Sequence, residues 1–153
     1  MAERVSASIV IGGSVTEAQY EELLQLIADE ALSFEWDGEV FEDQHRIPGE
    51  PLRLYAHEVA HGCFDALETW CVAAGLPFAR WSGACLGQWG AQRRAFPGEG
   101  EPIDYPADED DYVVLGRHKA EALGSFGAIV RYFDVADSVI PALIVVGRDQ
   151  DHA

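Results

Sequence analysis

The chain has 153 residues and a formal charge of −17, from 10 Lys and Arg against 27 Asp and Glu. Its 48% hydrophobic content can fill the core of one domain and excludes wholesale disorder. No apolar run approaches the roughly 20 residues of a membrane span, and phosphates would be repelled, so generic nucleic-acid binding is excluded too.

The start, Met1-Ala2-Glu3-Arg4, has no basic stretch followed by a long apolar one, so no signal peptide is expected. The cysteines, Cys63, Cys71 and Cys85, are odd in number and imply no disulfide framework. A reducing cytoplasm is the simplest compartment. Nine Arg stand against the single Lys119, a bias that reads as GC-rich bacterial coding.

Val5, Ala7, Ile9 and Ile11 alternate with Ser6, Ser8 and Val10, which predicts a half-buried strand. Gly12-Gly13 reads as a turn. Ser14 and Thr16 are both N-cap candidates, with Glu17 and Gln19 three residues on. The helix predicted over 17–31 buries Tyr20, Leu23, Leu24, Ile27 and Ala31. Residues 33–50 read as loop or weak strand.

Residues 52–57 alternate Leu52, Leu54 and Ala56 against Arg53, Tyr55 and His57, favouring a strand. A helix over 63–74 follows, with Phe64, Leu67, Trp70 and Cys71 inward and Gly75 to stop it. Pro77 to Ser82 and Gln92 to Phe96 read as a hairpin around a Gly-rich connection. Residues 97–111 form an acidic loop, and Tyr112 to Leu115 a strand. Helices are expected over 117–123 and 126–136, the second capped by Ser125. Val139 to Val146 is the closing strand, with Pro141 at its start or at an edge. A disordered tail is expected over 148–153.

The order β-α-β-α-β-β-β-α-β predicts a single α+β domain over 1–153. It is a sandwich with about three helices on a mixed, mostly antiparallel sheet. A ferredoxin-like core with extra strands is the nearest named architecture.

The charge is uneven. Residues 51–96 carry +1, and the rest carries −18. Residues 17–50 hold eleven acids and only Arg46 as a base. Residues 99–111 hold seven acids and no base: Glu99, Glu101, Asp104, Asp108, Glu109, Asp110 and Asp111. Such runs form either a solvated face or a surface that meets a basic partner.

His57-Glu58-Val59-Ala60-His61 is an H-E-x-x-H match. These five residues resemble the zinc-metallopeptidase motif, which implies His57 and His61 as metal ligands and Glu58 as general base. On a helix the two His lie about 6 Å apart at Cβ and can share a metal. On a strand they are about 13 Å apart and cannot. The apolar spacing from Leu52 to Ala74 also fits one long helix, but Gly62 would cost about 1 kcal/mol there, and the alternation favours strand. The longer motif's third His is missing: Leu67 stands at its position, one residue before Glu68. Zinc is therefore expected only if this segment is helical, and otherwise no cofactor.

Cys85 sits among small residues and reads as a nucleophile or, more simply, a small buried hydrophobe. Gly12-Gly13 precedes a helix, but Glu17, Glu21 and Glu22 would oppose a bound phosphate. Tyr55, Arg80, Trp81, Trp89 and Arg93 gather in the neutral middle segment as binding candidates; the plainer reading pairs Arg80, Arg93 and Arg94 with nearby carboxylates.

Three functions follow in order. First is a non-catalytic acidic protein that engages a basic partner, in the manner of a nucleic-acid mimic. Second is a small-ligand regulatory domain with a pocket near Tyr55, Trp81 and Trp89. Third is a small zinc hydrolase.

Overall fold

The alternation at the start builds the middle of the molecule. In the computed structural model, which describes residues 4–149, β1 (Arg4–Ile11) pairs antiparallel with both β3 (Leu52–Ala60) and β4 (Phe78–Ser82). Beyond β4 lie β5 (Gln92–Phe96) and β6 (Ile103–Pro106), giving an antiparallel sheet in the order β3-β1-β4-β5-β6. The fold is α+β, as its sequence pattern indicates, with four α-helices among the described residues where about three are expected.

One face of this sheet is buried. Ala7, Ile9, Ile11, Leu52, Leu54, Phe78 and Phe96 pack there against α1 (Glu17–Asp29) and α2 (Asp65–Ala74). Those helices contribute Tyr20, Leu23 and Ile27, then Leu67 and Cys71. Burial pushes the Cys71 thiol up to about 12, as befits a packing residue. α1 starts on a capping box in which Thr16, not Ser14, is the cap and Gln19 its partner. Gly75 ends α2 in the left-handed conformation at φ 71°.

The chain then departs from its sequence pattern in three places. Gly12-Gly13 is not a simple turn. Gly12 donates to the Pro77 carbonyl and Gly13 to that of Ala142, so the backbone threads between two other segments. Gly13–Val15 is a short strand, β2, which pairs parallel with β7 (Leu143–Val145) in a separate two-stranded sheet. The closing strand is thus shorter than 139–146, and Pro141 precedes it.

The second correction is in the acidic loop, which contains β6. Its Pro- and acid-rich composition masks the strand, but Asp104 has Arg94 directly opposite to neutralise it. The third is Tyr112 to Leu115, which forms no strand; Val113 alone bridges Ala107. Here β6 already occupies the sheet edge.

α3 (Arg117–Leu123) and α4 (Phe126–Ala136) follow, the latter capped by Ser125. Tyr132, Phe133 and Ala136 of α4 pack with Ala95, Tyr105 and Val113, so α4 covers the β5–β6 end of the sheet's second face. Of the expected tail 148–153, Arg148 pairs with Glu17 and Asp43, and Asp149 pairs with Arg46. Residues 150–153 lie outside the described residues. Among the described residues no helix is long and apolar enough to cross a membrane.

Candidate functional site

Strand pairing places Tyr55, Ser8, Trp81, Arg93 and Tyr105 in one row across all five strands. Side chains in a row of directly paired residues share a face. This row faces away from α1 and α2. The neighbouring row, Leu54, Ile9, Arg80, Arg94 and Asp104, faces the core.

Above the first row, between two loops, is an open cavity of about 710 Å³. The first loop is pinned by Ser33, which exchanges backbone hydrogen bonds with Tyr55 at 2.8 and 2.9 Å. That anchor sets Trp36 over the sheet. Its ring lies 5.0 Å from Tyr55, 5.1 Å from His57 and 6.3 Å from Trp81, the last contact edge-on at 87°. Trp36 remains 40% exposed, while Trp81 is buried and donates its indole N–H to the Asp108 carbonyl at 2.9 Å.

The second loop is the acidic turn. The Asp108 carboxylate accepts backbone N–H bonds from Asp110 and Tyr112 and holds the turn closed. Glu109 accepts the Ala84 N–H at 2.8 Å, tying the turn to the Gly-rich connection. Asp111 pairs with Arg93 at 2.9 Å. Burial pushes its carboxyl up, against the pull of that guanidinium. Glu109, Asp110, Asp111 and Asp37 line the cavity, and Arg53 is the one cation there.

The His57–His61 segment is strand through Ala60, so the helical premise of a zinc site is not met. The register of β1 on β3 shifts between Val5 and Ala7, which is a bulge. Glu58 and His61 both take positive φ, 55° and 56°. The two His consequently meet different neighbours. His57 Nδ1 lies 2.7 Å from Ser6 Oγ, and its Nε2 lies 3.0 Å from Asp37 Oδ1. The His61 ring lies 6.3 Å from Trp89. Glu58 is exposed, and its carbonyl accepts from Arg4. Among the described residues no three His, Cys, Asp or Glu side chains converge as metal ligands would.

Other candidates are dispersed. Arg80 is 0% exposed in the core, 3.4 Å from Glu68, and so offers nothing to a surface partner. Arg93 is held by Asp111 and Asp137, and Arg94 by Glu68 and Asp104. Trp89 pairs with Cys85 through an isolated bridge and does not line the cavity that Trp81 lines. Glu99 and Glu101 line a second, largely apolar cavity of about 450 Å³ beside Phe78, Phe96 and Ile140.

Sequence reasoning missed Ser6, Trp36, Asp37 and Arg53 as site residues. Ser6 and Arg53 read only as outward positions of strands. Trp36 and Asp37 sit in a loop whose docking depends on Ser33. Compared with protein-family models, curated proteins and solved structures, the chain matches none.

Proposed function

We propose that this is a binding protein whose acidic aromatic groove receives a cationic group from a basic partner. The observation that carries this reading is the lining itself: Trp36, Tyr55 and Trp81 beside four carboxylates and a single Arg. Aromatic faces attract Arg and Lys side chains by roughly 0.5–2 kcal/mol per contact, more as water is excluded. Carboxylates around the same cavity add attraction and repel anionic competitors. A protein surface of the kind that ordinarily grips nucleic acid carries the charges this groove would meet. Nucleic acid itself would be repelled.

The test is a titration with a tetra-arginine amide, followed by tryptophan fluorescence and by calorimetry. It is run at about 0.1 M and 1 M salt, between which the screening length falls from about 10 Å to 3 Å. Binding is expected at low salt and at least about tenfold weaker at high salt. Trp36→Ala should weaken it by about 2- to 30-fold, the range of one cation–π contact. Equal binding of tetra-glutamate, or unchanged affinity in Trp36→Ala, would refute the reading.

A further inference from the structure

The contacts of His57 go beyond recognition of a cation. Its two ring nitrogens are both engaged, Nε2 by Asp37 at 3.0 Å and Nδ1 by Ser6 at 2.7 Å. A carboxylate 3.0 Å from Nε2 favours the proton on that nitrogen of the neutral ring. Nδ1 is then the acceptor, and the Ser6 hydroxyl must be the donor. The tautomer follows from the partners.

Three further observations bear on this chain of groups. It lines the 710 Å³ cavity, within reach of a small substrate. It sits at the β1–β3 bulge, and bulges beside sites serve to re-aim a side chain. Glu58, next to His57, is a non-glycine residue at φ 55°, a conformation kept only where its surroundings enforce it.

We infer that Ser6 is a nucleophile, with His57 as its general base and Asp37 as the positioning residue, acting on small neutral or cationic esters. The arrangement is that of a hydroxyl, a base within hydrogen-bond reach and a third group orienting the base. In the first step Ser6 Oγ bonds to the carbonyl carbon while its proton passes to His57 Nδ1. Collapse of the tetrahedral adduct breaks the ester C–O bond, and the leaving alkoxide takes that proton and departs as an alcohol. Water then attacks acyl-Ser6 and yields a proton to His57. The acid leaves, and the proton returns to Ser6. The balance is ester plus water to acid plus alcohol. Asp37 stabilises the imidazolium in both steps. Its carboxylate and those of the 109–111 turn disfavour anionic esters.

The experiment treats the full chain with a neutral alkyl fluorophosphonate and maps the adduct by peptide mass spectrometry. Hydrolysis of p-nitrophenyl acetate and of the p-nitrophenyl hemisuccinate anion is measured alongside. A single adduct on Ser6 is expected, absent in Ser6→Ala. His57→Gln should slow labelling by about 100-fold or more, the usual contribution of a general base. Asp37→Asn should lower kcat for the acetate and leave KM unchanged. The acetate should turn over at least about tenfold faster than the hemisuccinate. His57 is exposed, so its variant keeps the test independent of how Ser6 packs. Labelling no faster than free serine, an adduct elsewhere, or equal labelling of His57→Gln would overturn the inference. Tetra-arginine binding is read separately, so the two proposals fail separately.

Discussion

Replacing Glu68 should test the charge cluster buried between α2 and the sheet. Glu68 is 5% exposed on α2. Its Oε1 accepts from Arg94 at 2.9 Å, and its Oε2 accepts the Phe64 backbone N–H at 2.6 Å. Phe64 precedes the helix and has no side-chain oxygen with which to cap it, so Glu68 ties down that end itself. Arg80 Nε is 3.4 Å from Oε2 without hydrogen-bonding to it, and Arg80 is fully buried. Glu68→Gln keeps an acceptor for Phe64 but removes the charge that compensates Arg80. Breaking a buried pair from one side costs about 3–5 kcal/mol, because the remaining charge stays desolvated. At about 2–4 °C per kcal/mol for a chain of this size, the melting temperature should fall by roughly 6–20 °C. Thermal and urea melts followed by circular dichroism measure it. The loss should be nearly insensitive to salt, since buried pairs are poorly screened. The double replacement Glu68→Leu with Arg80→Met should recover most of it, because a buried pair exchanged for well-packed apolar residues is often neutral or better. A loss below about 1 kcal/mol in Glu68→Gln, or a double variant no better than the single, would refute the reasoning.

Two further predictions concern other parts of the core. Burial, and then the charges of Glu68, Asp65 and Asp29, push the Glu30 carboxyl upward, and one of its oxygens is buried without a hydrogen-bond partner. A carboxyl raised in the folded state costs stability while ionised, so Glu30→Gln should melt higher at pH 7, by roughly 1–3 °C. That advantage should shrink as pH falls through the folded-state titration of Glu30, where the native protein takes up its own proton; a pH series of melts checks it. A Cβ at Gly12 would lie 1.9 Å from the Pro141 carbonyl oxygen, so Gly12→Ala must push two backbones apart. It should cost about 3 kcal/mol or more, with amide exchange accelerating first at Val15 and Val145.

The sequence was legible where local rules act alone. β1, β4, β5, α1 and α4 follow from alternation, helical spacing and caps, as at Thr16 and Ser125. It was opaque where a neighbour changes the rule. Pairing of Arg80 with a carboxylate is the plainer sequence reading, but its full burial is not legible, because Arg80 sits on a core-facing strand position that pattern alone assigns to apolar residues. β6 reads as loop because its neutralising Arg94 lies on another strand. In the candidate site, Trp81 and Tyr55 are visible as aromatics of the neutral middle segment. Ser6, His57 and Asp37 converge only through a bulge and a docked loop, and neither leaves a periodic trace. The five-residue zinc-like match failed for the same reason: the pattern does not carry its own backbone.

The small β2–β7 sheet also bears on how the molecule is made. Gly13 pairs with Leu143, so the contact closes a loop of about 130 residues. At about 5–20 residues per second on the ribosome, β2 waits on the order of ten seconds for its partner to be synthesised. Such distant pairing is intrinsically slow and late. Through that interval the rest of the sheet must assemble without it, and the Arg148 and Asp149 ion pairs can close over Tyr20 only afterwards. Residues 143–149 thus latch a domain whose β1 and β2 are synthesised well before them.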